Sequence, residues 1–119
     1  MSDINLNLVG GGFLIDEGDE NEIFIPEEMN EEQKMIRQMC QDFLDNEILA
    51  NIEELEKKDS HDLNVNLMNK MGDLGLLGTH MPEKYGGMQL DTNTNTLISE
   101  TLGPSSSFAV SYAAHIGIG

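Results

Sequence analysis

The residues of this chain that could do chemistry are one cysteine, three histidines and many carboxylates, and their spacing limits what they can do. His61, His80 and His115 stand far apart, and none has a second histidine or a cysteine three or four positions away, so no zinc-type site is spelled out. Asp16-Glu-Gly-Asp-Glu20 lacks the alternating acids, central glycine and closing glutamate of a calcium loop. Gly10-Gly-Gly12 is followed neither by Lys-Ser or Lys-Thr nor by a clear helix, so it is no phosphate cradle. No Gly-x-Ser-x-Gly elbow marks a nucleophilic serine. Cys40 falls between Met39 and Phe43 in an apolar helical pattern with acidic neighbours, the setting of a small buried hydrophobe rather than of an activated thiol. A catalytic pair of carboxylates needs at least one in an apolar pocket, whereas these belong to solvated helix faces. No catalytic, cofactor-binding or metal-ligating residue is assigned.

The elements that would carry any site are helices. Asn30-Glu-Glu-Gln33 resembles a capping box, with asparagine accepting from the third amide and glutamine reaching back. Behind it Ile36, Met39, Cys40, Phe43, Leu44, Ile48, Ile52 and Leu55 recur at three- and four-residue steps, predicting one helix of about seven turns. Glu31 and Glu32 suit its positive end, Lys57 and Lys58 its negative end. Asp59-Ser-His-Asp62 breaks and restarts the chain. Leu63, Leu67, Met68, Met71 and Leu74 then give a shorter amphipathic helix that ends near Gly72 or Gly75. Residues 75–87 read as a glycine-dense loop in which Pro82 blocks a helix interior, and Tyr85-Gly-Gly87 as a tight turn. Asp91 is placed to cap a third helix from Thr92 to Leu102 that buries Leu97, Ile98, Thr101 and Leu102. Gly103-Pro104 stops it, and Ser105 offers the cap of a fourth. The fold class is all-α, a bundle-like helical domain over 30–119. Residues 1–29, with short apolar clusters, the triple glycine and the acidic stretch, read as an extended N-terminal arm.

The chain has 119 residues, with 22 acids against six bases and a net charge of -16; sixteen of the acids precede Lys57. That charge repels phosphate backbones and anionic lipid, so nucleic acid is not an expected partner. A lone cysteine excludes an internal disulfide. The N-terminus has no basic region followed by an apolar run, and no stretch approaches the length of a membrane span. The expectation is a cytoplasmic protein.

The last fifteen residues, Ser105 to Gly119, carry no charge and are dense in small and apolar side chains. A surface helix has a polar face, and this one has only scattered hydroxyls and an imidazole. It needs partners on most sides, and the expectation is that the chain is the front piece of a larger protein.

Several segments in order carry a resemblance: Gly11-Gly-Phe-Leu-Ile15, Glu31-Glu-Gln-Lys-Met-Ile36, Phe43-Leu-Asp-Asn-Glu-Ile-Leu49, Gly72-Asp-Leu-Gly-Leu-Leu-Gly78, Pro82-Glu-Lys-Tyr-Gly-Gly-Met-Gln-Leu90, Leu97-Ile-Ser-Glu-Thr-Leu-Gly103 and Ala114-His-Ile-Gly-Ile-Gly119. Together they resemble the N-terminal helical domain of the acyl-CoA dehydrogenases. The glycine-rich arm and the ending are similar to the very-long-chain type and its bacterial relatives. The resemblance implies FAD and fatty acyl-CoA as cofactor and substrate of the parent enzyme. It also implies a middle β-domain and a C-terminal helical bundle as partner domains, with a homo-oligomer possible. In that family a glutamate of the later helical domain removes the α proton while the β hydrogen passes to the flavin as hydride. Neither that base nor the main flavin contacts fall within residues 1–119, so this chain alone is expected neither to catalyse nor to bind FAD tightly. By the resemblance, Val110, Ser111, Ala114 and Ile118 face the acyl chain as one wall of its slot. The alternative from a different class is a stand-alone acidic helical module that uses its last helix for protein binding or dimerisation.

Overall fold

A computed structural model of the chain describes Ile15 and residues 26–118. The arm expected over 1–29 lies outside the described residues except at Ile15, which is exposed, and over 26–29. There the chain is not extended: Pro26–Glu28 form a 3-10 turn, and Met29 is buried immediately before the first helix cap.

Helix α1 spans Glu31–Phe43. The capping box is formed: the Gln33 amide donates to Asn30 Oδ1 at 2.8 Å, and the Asn30 amide to Gln33 Oε1 at 3.0 Å. Gln33 is itself buried, and its Nε2 donates to Thr94 Oγ1 at 3.1 Å, tying the start of α1 to the fourth helix. The single seven-turn helix does not persist. A π-turn over Leu44–Ile48 and a 3-10 turn over Leu49–Asn51 follow α1, and only then the short helix α2, Ile52–Leu55. The cause is the apolar spacing. Ile36, Cys40, Leu44, Ile48 and Ile52 are four apart, and each such step overshoots a 3.6-residue turn by about 40°. Over four steps a regular helix would carry the stripe off the core. The wider π-turn, closed by the Leu49 amide on the Leu44 carbonyl five residues back, resets the phase and keeps Leu44 and Ile48 fully buried.

Helix α3 spans His61–Asp73 and ends as read, with Gly75 in the left-handed region at φ +80°. Leu67 and Met71 are buried, whereas Leu74, placed on the same apolar stripe, is 40% exposed because it falls at the cap and turns outward. The loop over 75–90 folds back on itself. Met88, Gln89 and Leu90 donate backbone amides to the carbonyls of Gly78, Met81 and Thr79 at 3.0, 2.9 and 2.7 Å. The tight turn at Tyr85-Gly-Gly87 is present, with Gly86 at φ +84° and its amide on the Glu83 carbonyl at 2.8 Å.

Helix α4 spans Thr92–Leu102 and is capped by Asp91, whose Oδ1 accepts the Thr94 amide at 2.8 Å. The side-chain and backbone hydrogen bonds from Thr94 hold the Asp91 carboxyl below its ordinary value. Leu97, Ile98, Thr101 and Leu102 are buried as the pattern requires. A 3-10 turn, Gly103–Ser105, leads into α5, Ser107–Gly117. Ser105 is not the cap: it is fully buried, and its hydroxyl donates backward to the Leu102 carbonyl at 2.6 Å.

The helices share one core. Helix α1 packs against α4, α4 against α5 and α2 against α3, and the π-turn contributes to the same core. Cys40, Leu44, Ile48, Leu67, Met71, Leu76, Ile98, Leu102 and Phe108 lie in it, each no more than 1% exposed. The rings of Phe43 and Phe108 meet at 6.4 Å with a 44° tilt, joining α5 to α1. Among the described residues there is no strand, and no helix is long and apolar enough to cross a membrane.

Candidate functional site

Helix α5 carries the residues singled out as a binding wall, and its two faces differ sharply. Phe108 and Tyr112, four residues apart, point into the core at 0% and 2% exposure. Burial pushes the Tyr112 phenol up to about 12, so it stays protonated and donates to the Leu76 carbonyl at 3.0 Å. The opposite face is bare. Val110 is 70% exposed and Ile118 is 89% exposed; Ala113, Ala114 and Gly117 are exposed beside them.

Val110, Ala114 and Ile118 repeat at four-residue steps and so form one strip along the helix. Ile118 sits just past the helix end, where its amide donates to the Ala114 carbonyl at 3.0 Å. Ser111 stands apart from the other three. It lies on the flank, half-buried, where its hydroxyl accepts from Asn64 Nδ2 at 3.3 Å and donates to the Ser107 carbonyl at 3.5 Å. The structure thus brings three of the four expected wall residues onto one open apolar strip and turns the fourth toward α3.

The start of α5 is unusual. Ser106 adopts φ 54° and ψ -116°, a conformation that strains any residue with a side chain, and it offers no side-chain cap. The cap comes from Glu56, distant in sequence. Its Oε1 accepts both the Ser107 hydroxyl at 2.7 Å and the Ser107 amide at 3.3 Å. A carboxylate here satisfies an unpaired amide and meets the positive end of the helix dipole. Glu56 and Asn64 were not legible as anchors: one is an acid among many, the other an asparagine within a helical pattern.

Two grooves flank these elements. One, of about 380 Å³, lies between α4 and the end of α5 and is lined by His80, Thr92, Asn95, Thr96, Ser99 and Ile116, with Gly117 at its edge. Asn95 uses both amide protons on the Leu90 and Asp91 carbonyls, at 3.0 and 2.9 Å. The other, of about 540 Å³, runs along the outer face of α1 over Met35, Met39, Phe43 and Leu74.

The chemistry available on the exposed face of α5 is apolar contact. The open strip of α5 has no charged group, and its small side chains leave room for an apolar chain. Cys40 is fully buried, and desolvation raises its thiol to about 11, so it is not a nucleophile near neutrality. No group of three metal-ligating side chains converges among the described residues.

An all-α domain with a shared core and one bare apolar helix face is the class that fold and site define. The family model for the acyl-CoA dehydrogenase N-terminal domain matches residues 30–119, and the chain belongs to that family. It is 40% identical over 110 residues to a probable acyl-CoA dehydrogenase of Bacillus subtilis (strain 168), covering 92% of this chain and 18% of that protein. It is 32% identical to the mitochondrial isovaleryl-CoA dehydrogenase of Bos taurus, over 73% of this chain and 21% of that one. Among solved structures, the acyl-CoA dehydrogenase of Bacillus anthracis complexed with FAD superposes with a TM-score of 0.84 at 43% identity, over 92% of this chain and 19% of that one. The chain therefore spans about a fifth of the length of these relatives.

Proposed function

We propose that this chain works as the N-terminal helical domain of an FAD-dependent acyl-CoA dehydrogenase that introduces an α,β double bond into fatty acyl-CoA during β-oxidation, in the cytoplasm. Its contribution is one wall of the acyl slot together with a surface for the remaining domains. The observation that carries this reading is the open strip of Val110, Ala114 and Ile118 on a helix whose other face is locked into the core. Such a strip gains by covering apolar surface, at roughly 25 cal/mol per Å² removed from water. It offers nothing to a polar or charged ligand.

The residues present do not fit the flavin itself. Its diphosphate would meet a chain of net charge -16, with 22 acids against six bases. By the family resemblance, the main flavin contacts and the base that takes the α proton belong to other domains of the enzyme. What this domain does is hold the acyl chain straight and exclude water from its length.

The test is a bulky replacement on the strip. In the flavin-loaded enzyme carrying this domain, Val110→Trp or Ala114→Phe shortens the longest acyl-CoA that bleaches the flavin anaerobically, while short substrates still react. A flavoprotein whose chain-length preference is untouched by both replacements, or one that no fatty acyl-CoA bleaches, sinks the reading.

A further inference from the structure

Helix α5 is held by three hydrogen-bonded ties from other elements, two on its polar flank and one in the core. Glu56, at the end of α2, grips Ser107; Asn64 of α3 grips Ser111; and the Leu76 carbonyl accepts from Tyr112. The first differs from the others. It is made at the mouth of the helix, directly after Ser106, whose backbone lies in a region that a serine occupies only when its surroundings hold it there. Without an outside grip, that residue would relax and the first turn of α5 would slide or unwind. A single oxygen, Glu56 Oε1, supplies the grip by accepting from both donors of Ser107. Val110 follows one turn later on the same helix, so a shift of the first turn moves the open strip with it.

We propose that Glu56 is a positioning residue: it fixes the axial setting of α5 and, through it, the depth of the acyl slot. The second half of this statement rests on the reading of α5 as a slot wall; the first half does not. Glu56 touches neither substrate nor cofactor in this scheme. It acts by holding Ser106 and Ser107 in place.

The test has two arms. In the 119-residue chain, amide hydrogen exchange is followed over α5 and, as an internal reference, α4. Glu56→Ala speeds exchange in the first turn of α5 about five-fold, the effect of losing a helix cap, and leaves α4 unchanged. Glu56→Gln restores most of the protection, because its amide oxygen can accept the same two bonds. Should Glu56→Ala lower the stability of the whole chain, Ser107→Ala supplies the same readout by removing only the hydroxyl contact. Equal acceleration in α4 and α5, or no change in α5 for either variant, overturns the positioning role.

In the flavin-loaded enzyme, Glu56→Ala changes the ratio of kcat/KM for long over short acyl-CoA through KM, with kcat held, and Glu56→Gln reverses it. If Val110→Trp shifts chain-length preference and Glu56→Ala does not, the link from Glu56 to slot depth is wrong. If the exchange effect is present but Val110→Trp shifts nothing, the slot reading has failed and the anchoring of α5 by Glu56 stands.

Discussion

Replacing Gly87 by alanine is the sharpest test of the loop that joins α3 to α4. A Cβ built at Gly87 would sit 2.5 Å from the Met81 carbonyl carbon and from Met81 Cβ, and closer still to the Met81 carbonyl oxygen. Ordinary contact begins near 3.4 Å, so the two sides of the loop must part by at least 3.4 minus 2.5, or about 0.9 Å. The cross-loop hydrogen bonds of Met88, Gln89 and Leu90 now measure 3.0, 2.9 and 2.7 Å. Opened by that distance, they pass beyond the reach of a hydrogen bond. Two or three such bonds at about 0.5–1.5 kcal/mol each, with the local strain, give a loss of roughly 2–4 kcal/mol.

Two other glycines calibrate the effect. At Gly86 nothing lies within 4 Å, but φ is +84°, so alanine there costs about 1–2 kcal/mol from backbone strain alone. At Gly117, on the last turn of α5, nothing lies within 4 Å and φ is helical, so alanine is neutral or stabilises by up to about 1 kcal/mol. Urea unfolding of the three variants ranks them, with unchanged slopes and midpoints displaced in proportion. If Gly87→Ala is no more destabilising than Gly86→Ala, the close approach of Met81 is not what the position requires, and the argument fails.

Three further outcomes follow from the same geometry. Phe108→Ala, at a fully buried ring stacked near Phe43, lowers stability by about 3–5 kcal/mol, while Val110→Ala two residues away changes it by less than about 0.5 kcal/mol; thermal melts of both variants check this. Cys40 stays unlabelled by thiol reagents in the native state. Because its folded value of about 11 lies above its ordinary 9.0, its contribution is fully present below pH 9 and is lost as the pH rises toward 11, the unfolded chain releasing its proton first; Cys40→Ser flattens that alkaline limb. Asp91→Ala removes the α4 cap and costs about 1 kcal/mol, whereas Asp91→Asn keeps most of it. Since the Asp91 carboxyl is lowered, its contribution is present above 3.8 and lost as the pH falls through the lower folded value, so acid titration of the wild type and the asparagine variant should diverge only there.

The starts of α1 and α4 and the buried face of α4 were legible from the chain alone. A cap acts across three residues, as Asn30 with Gln33 and Asp91 with Thr94 show, and a stripe such as Leu97, Ile98, Thr101 and Leu102 declares its inward face by spacing. The order of short segments also identified the family, and it was that resemblance, not spacing, that singled out Val110, Ser111, Ala114 and Ile118. What spacing could not show is where that stripe would strain the helix it defines. The four-residue repeat through Leu44 and Ile48 reads equally well as a continuous helix, and only the demands of a shared core turn part of it into a π-turn. The tie from Asn64 of α3 to the Ser111 hydroxyl has no signature in the sequence. Glu56 is one acid among 22 until the fold carries it to Ser107, and Gly87 is one glycine among twelve until Met81 lies against it. Caps and periodicity are interactions between near neighbours, and the residues themselves determine them. Contacts between distant residues exist only once packing has set the helices side by side, so the tertiary structure alone decides them.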